Sequence, residues 1–383
     1  CIAASYGQLG MIAQLRGDYQ QAEDHYRASL TIAEELGDRS GIAASYGQLG
    51  MIAELRGDYQ QAEDHYRASL TIKEELGDRS GIAASYLQLG KIAQLRGGYQ
   101  QAEDHYRASL TTFEELGNRT NIAASYHQLG IIAQLRGDYQ QAEERYRVSL
   151  TILEELGNRT NIAASYHQLG MIAELRGDYQ QAEDHYRASL TIAEELGDRS
   201  GIAASYGQLG MIAQLRGDYQ QAEDHYRASL TIKEELGDRS GIAISYHQLG
   251  IIAQERGDYQ QAEDHYRASL TIAEELGNRA GIATSYGQLG VLRTKQQCPA
   301  DGVPYMLRAL ALELETGRPP ATSLYWLGRQ RALLGDDAFR SLLDELLPDQ
   351  VAASIMNATQ PQGEPAPHKE SVAPDDPTST DQT

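Results

Sequence analysis

Residues 1–40 read CIAASYGQLGMIAQLRGDYQQAEDHYRASLTIAEELGDRS, and this string decides the fold because the chain repeats it almost verbatim. Seven 40-residue units run from 1 to 280, and an eighth, 281–320, opens as GIATSYGQLG and then degenerates. A fixed period of this size is the signature of a stacked solenoid, in which each unit buries its apolar face only against its neighbours. Within the first unit helix formers run over 2–16, Gly17-Asp18 interrupts them, and a second helical run covers 19–36 before Gly37-Asp38-Arg39-Ser40 closes it. Glycine at such a place takes the left-handed conformation that ends a helix. In the second run Ala22, Tyr26, Leu30 and Ala33 follow the spacing of one helical face. Gly10 lies inside the first helix at a cost of about 1 kcal/mol relative to Ala, which a close helix–helix approach opposite Ala22 would offset. Each unit is therefore expected to be two helices, A and B, and the fold class all-α: a right-handed α-solenoid superhelix.

Beyond the repeats, 321–347 keeps a weak echo of the unit, with Leu327-Gly328 followed by Gly335-Asp336. Trp326, Leu327, Leu333, Leu334, Phe339, Leu342 and Leu346 are its expected apolar anchors, and 321–356 is expected to cap the array. The stretch 357–383 is rich in Pro, Asp and Thr with no apolar period, and is expected to be disordered.

Composition removes several classes of function. The net charge is −21 over 383 residues, with no Lys/Arg cluster of the kind that follows phosphates, so nucleic acid and anionic membrane are not expected partners. Cys1 and Cys298 stand at opposite ends and make neither a disulfide framework nor a metal motif. No apolar stretch is long enough to span a bilayer and no signal peptide is visible, which makes the cytoplasm the expected location. No phosphate loop, zinc motif, nucleophile elbow or dinucleotide fingerprint occurs, so no catalytic residue, metal or cofactor is expected. Residue 1 is not Met and the repeat is already in register there; the chain is expected to be the C-terminal piece of something longer or the product of an imperfectly predicted gene start.

Tyr6, Leu9-Gly10, Gly17, Tyr19, Ala22 and Tyr26, recurring over 280 residues, resemble the tetratricopeptide repeat. The usual unit has 34 residues, so these carry six more, and Glu34 stands where that family places a proline. The unit is similar to the longer repeats of kinesin light chains, of Pins-type adaptors and of bacterial signalling proteins that carry such arrays behind an effector or ATPase module. The segment after residue 289 resembles the way actinobacterial arrays close. The resemblance implies a concave groove, lined by the A helices, that binds a peptide or helix. The family's carboxylate clamp does not carry over, because positions 7, 8 and 11 of the unit offer Gly or His, Gln, and Met or Ile instead of its Lys, Arg and Asn.

Differences between copies locate that groove. In helix A they fall at unit positions 1, 4, 7, 11, 14 and 15, and positions 4, 7, 11, 14 and 15 share one stripe, opposite the constant Ile2, Tyr6, Leu9 and Ala13. The candidate contact residues are Met11, Met51, Leu87, Lys91, His127, Ile131, His167, Met171, Met211, Ile244, His247, Ile251 and Glu255. Partner contact, packing between neighbouring A helices and simple drift all fit the stripe. Contact is preferred because position 11 is apolar in seven of eight copies. Three histidines on the stripe suggest binding that changes near pH 6–7, and Lys91 is the lone cation at position 11. Elsewhere Asp24-His25 and its copies read as a solvated outer face, Glu34-Glu35 as a charged face compensated by Arg39, and the variable position 33 (Ala33, Lys73, Phe113, Leu153) as partly exposed. The expected function is a non-catalytic scaffold for a protein or peptide. The alternatives are the sensor half of a larger signalling protein and end-to-end self-association through Ile2, Tyr6 and Leu9.

Overall fold

The computed structural model describes residues 2–360, and the expected tail falls almost wholly outside them. The described residues form nineteen helices and no strand, in two compact units, Cys1–Asp218 and Tyr219–Thr383. The fold is an α-solenoid of helix pairs, with A helices such as Arg39–Leu55 and B helices such as Tyr59–Leu76. The A helices start earlier than the sequence suggested. Arg39 and Ser40 belong to the first turn of the next A helix, because Asp38 is its N-cap and its carboxylate accepts from the Gly41 amide at 2.9 Å. Asp18 caps the B helix in the same way, accepting from the Gln21 amide at 3.0 Å. Gly17 between the helices has φ 76°, the left-handed conformation in which Gly alone is comfortable.

In the first unit the core is one layer repeated. Ala13, Ala22 and Tyr26 of one repeat close on Leu49 and Ile52 of the next. The same positions recur as Ala53, Ala62, Tyr66, Leu89 and Ile92, and as Ala173, Ala182, Tyr186, Leu209 and Ile212. A second layer joins Ala33 to Ile42, Ala43 and Ile72. Position 33 is thus buried rather than exposed: Ala33 and Phe113 are covered, Leu153 nearly so. It tolerates Ala, Phe and Leu because each fills the seam between repeats to a different depth. In the first four B helices a buried serine ties the pair together, as Ser69 Oγ donates to the Ala43 carbonyl at 2.7 Å and Ser109 Oγ to that of Ala83 at 2.9 Å.

Gly10 faces Tyr26, not Ala22. A Cβ on Gly10 would lie 2.6 Å from the Tyr26 ring, and the same clash recurs at Gly50 against Tyr66 and Gly130 against Tyr146. The glycine exists to seat a buried tyrosine ring. Position 7 is different: a Cβ at Gly7 meets nothing within 4 Å, and one at Gly47 only Ser69 Oγ at 3.9 Å. This steric room is why position 7 changes from copy to copy while position 10 does not.

The second unit follows the same layer rule, with Ala253, Ala262 and Tyr266 against Leu289 and Leu292. After the last repeat-like pair come Ala321–Leu334, Asp336–Leu346 and Asp349–Ala358, which pack Leu327, Phe339, Leu343, Ala352 and Ile355 against Val303 and Met306. Of the anchors expected there, Leu333 and Leu346 are exposed, while Leu343, which the spacing did not single out, is fully buried.

Candidate functional site

The stripe on the A helices divides by depth. Position 4 is exposed in every copy, position 11 runs from exposed at Met11 and Lys91 to buried at Met211 and Val291, and position 15 is exposed in most, as at Leu95, Leu135, Leu175 and Leu215. Positions 4, 8, 11 and 15 follow the i, i+4, i+7, i+11 spacing of a ridge along one helix. Positions 7 and 14 instead face the tyrosine at position 26. His127 lies against the Tyr146 ring with centroids 5.3 Å apart, and His167 against Tyr186 at 5.4 Å. Leu87 packs against the cluster that holds Tyr106. Burial pushes the His127 and His167 imidazoles below their ordinary 6.5, so the titration expected near pH 6–7 moves lower.

At position 14 the side chain binds the same tyrosine. Tyr26 Oη donates to Gln14 Oε1 at 3.1 Å, and Gln14 Nε2 donates to Met51 Sδ at 3.6 Å. Position 14 of one repeat thus faces position 11 of the next. That register explains Lys91. Its ammonium lies 2.5 Å from Glu54 Oε1, and Glu54 also accepts from Tyr66 Oη at 3.1 Å. Lys91 is paired: it answers a glutamate where most repeats carry glutamine. At Glu174 the tyrosine contact is kept, Tyr186 Oη donating at 2.9 Å, and burial raises the carboxyl above its ordinary value against that hydrogen bond. Among the described residues no cation pairs with Glu174.

In the first unit, Met11 is exposed, Met51, Ile131 and Met171 are half-buried, and Met211 is buried at 9 % exposure. In the second, Ile244 is exposed, Ile251 is half-buried, His247 rests on Tyr266 at 5.8 Å, and Glu255 pairs with Lys295 at 3.1 Å. Glu255 and Lys295 both replace the usual leucine of position 15, so these two departures also answer each other. A cavity of about 300 Å³ opens beside the ridge of the second repeat, lined by Ser40, Ala44, Gly47, Gln48, Lys73 and Asp78. Lys73 donates to Ser85 Oγ at 2.9 Å, and burial lowers its pKa against the opposing pull of Asp78. In the second unit a cavity of about 540 Å³ is lined by Glu234, Arg239, Tyr246, Ile272 and Glu275.

The charged and aromatic rows outside the stripe make specific contacts. The histidines at position 25 are half-buried against tyrosine rings, His65 on Tyr46 at 5.9 Å and His105 on Tyr86 at 5.8 Å. They are not a freely solvated face, and Arg145 replaces the histidine by placing its guanidinium 5.9 Å over the Tyr126 ring. The copies of Glu34 accept from tyrosine hydroxyls, Tyr166 Oη to Glu154 at 3.3 Å for example, and Arg39 pairs with Glu75 at the far end of its helix pair. A network that the sequence reading passed over runs through Glu23, which is buried between Arg27 and Arg56, each 2.5 Å away. Its visible signal is the constant Arg16, Glu23 and Arg27, the last two at i, i+4 spacing. Also unforeseen is the row of exposed leucines at position 36, among them Leu36, Leu116 and Leu196.

Among the described residues no His, Cys, Asp or Glu group could hold a metal ion, and no helix is long and apolar enough to cross a membrane. A family model for the tetratricopeptide repeat matches residues 1–75, 81–155, 161–235 and 241–312. No curated protein sequence matches the chain. Among solved structures, the apo quorum sensor NprR from B. thuringiensis is similar at TM-score 0.60 and 15 % identity, covering 92 % of this chain and 98 % of that one. BtubC (BKLC) from P. vanneervenii is similar at TM-score 0.51 and 21 % identity, over 58 % of this chain and 90 % of that one. A signal transduction ATPase with numerous domains and a tetratricopeptide repeat sensor, from Pyrococcus horikoshii, is similar at TM-score 0.53 and 14 % identity, over 86 % of this chain and 55 % of that one. At these identities the likeness is one of fold.

Proposed function

The chain belongs to the tetratricopeptide repeat family, and on that premise we propose that it is a non-catalytic interaction array whose A-helix ridges hold a peptide or helix of a protein partner. The observation that carries this reading is the open row of leucines at position 15. Leu135 and Leu175 are 47 % and 39 % exposed, and Leu95 and Leu215 in the flanking repeats are exposed with them. Exposed apolar side chains in a continuous row favour a partner that covers them. The half-buried methionines behind them supply adaptable apolar contact, and Gln48 with its copies supplies amide donors and acceptors. Leu135→Glu combined with Leu175→Glu tests the reading, since both side chains project into solvent and the fold tolerates the change. Peptides selected from a displayed library on the wild type should lose binding to this variant; unchanged binding overturns the proposal. Met211 is too deeply packed to serve in such a test.

A second reading, self-association, is favoured by the first helix, Ile2–Leu15, where Ile2, Leu9 and Ile12 are exposed while Ile42, Leu49 and Ile52 at the same unit positions are buried. A second copy or a preceding repeat would cover that face. Light scattering across concentration distinguishes them, a constant monomer mass ruling out the second copy. The Pyrococcus horikoshii neighbour, a signal transduction ATPase with a repeat sensor, is a precedent for this array acting as the sensor part of a longer signalling protein. Reading the gene upstream of Cys1 for an in-frame domain tests that.

A further inference from the structure

Position 14 is glutamine in most repeats and glutamate only at Glu54 and Glu174. The chain itself displays what a glutamate requires there. At Glu54 the next A helix supplies Lys91, 2.5 Å from the carboxylate, and the tyrosine hydroxyl completes the site. At Glu174 the tyrosine hydroxyl is present at 2.9 Å, but the residue in register with Lys91 is Met211. His167 does not substitute for the missing cation: its ring lies on Tyr186, and burial disfavours its charged form. A half-buried carboxylate without a cation is costly to keep charged. Glutamine, which bonds the same tyrosine without charge, occupies the position in the neighbouring repeats.

We propose that Glu174 receives a single lysine or arginine of a peptide lying along the ridge, which supplies the charge that Lys91 supplies at Glu54. The inference rests on the interaction-array reading and adds to it the chemistry of the partner. Met171, half-buried one turn before Glu174 on the same helix, offers apolar surface on which a long aliphatic stem packs, while the charged head meets the carboxylate. Because Glu54 is already paired and the other residues at position 14 in the Cys1–Asp218 unit are neutral, a basic side chain finds one matching carboxylate at this position in that unit. The contact therefore sets the register of the peptide as well as adding to its affinity.

The experiment uses the full chain and a displayed random dodecapeptide library. Peptides selected on the wild type should share one Lys or Arg, and replacing that residue by norleucine should weaken binding about tenfold or more, the range of a charge-assisted hydrogen bond. Glu174→Gln, which installs the residue most repeats carry and so preserves the fold, should bind the lysine and norleucine peptides equally. Selected peptides that share no basic residue, or a lysine preference that survives Glu174→Gln, overturn the inference and leave the interaction array standing. If the library yields no peptide sensitive to Leu135→Glu with Leu175→Glu, both readings fall together.

Discussion

Two glycines three residues apart in the helix Arg39–Leu55 should respond in opposite directions to the same substitution. Gly47→Ala adds a methyl group whose nearest neighbour is 3.9 Å away, an ordinary contact, so only the helix propensity changes and the variant should be more stable by about 1 kcal/mol. Gly50→Ala gains the same propensity but places Cβ 2.7, 2.8 and 3.1 Å from three atoms of the Tyr66 ring. The ring cannot swing aside cheaply, because it is buried and its hydroxyl is held by Glu54 at 3.1 Å. Overpacking of this kind costs about 1–3 kcal/mol, and with three atoms struck and the ring pinned the upper half of that range applies, leaving a net loss of about 1–2 kcal/mol after the propensity gain. The two variants should thus differ by about 2–3 kcal/mol. Repeat arrays do not always unfold in one step, so the assay is amide hydrogen exchange within this helix together with the thermal midpoint. Shifts of the same sign for both variants would refute the tyrosine-seat account of the repeat glycine.

Acidification should destabilise the array through its buried imidazoles. His127 and His167 have pKa values lowered by burial, so below pH 6.5 the unfolded chain takes up protons that the folded chain refuses. Stability is lost as pH falls from 6.5 and levels only once the folded imidazoles titrate; His127→Leu should reduce the loss between pH 7.5 and 5.5 in urea melts. Lys73→Leu should stabilise by about 1 kcal/mol or more, since position 33 is a buried seam that Leu153 already fills. The lowered Lys73 pKa means that this advantage shrinks as pH rises from the folded pKa toward 10.5, where the wild-type lysine sheds its proton; an unchanged advantage at pH 10 would contradict the assignment. Glu103→Ala should cost about 1–3 kcal/mol, because it strands Arg107 and Arg136, each 2.5 Å from that carboxylate, and the thermal midpoint should fall accordingly.

Helix pairs, their order and their turns were legible because a 40-residue period, Gly17-Asp18 and the apolar spacing all act locally. What a residue touches across the seam was harder to read. For Gly10 the spacing points to Ala22, since the nearest small residue is the natural partner for a glycine, but the Tyr26 ring lies over it. Position 33 looked exposed because it varies, yet a seam between repeats accepts Ala, Phe or Leu by local repacking. The stripe on helix A was visible as variation, but its two depths were not. Lys91 with Glu54, and Glu255 with Lys295, are non-local pairs separated by about one repeat, and only the register between neighbouring A helices shows that one departure answers the other. The same register isolates Glu174, which in sequence is merely one of two glutamates at position 14.

The most direct measurement of partner contact follows the methionine methyl groups by NMR, since the chain's six methionines, Met11, Met51, Met171, Met211, Met306 and Met356, divide between the A-helix stripe and the C-terminal helices. On titration with a library-selected peptide, Met171 beside Glu174 and Met211 should shift most and Met51 less, while Met306, buried in the C-terminal cluster, and Met356 stay in place. A peptide that binds while shifting Met356 alone, or none of the stripe methionines, would contradict the assignment of the A-helix ridge as the binding surface.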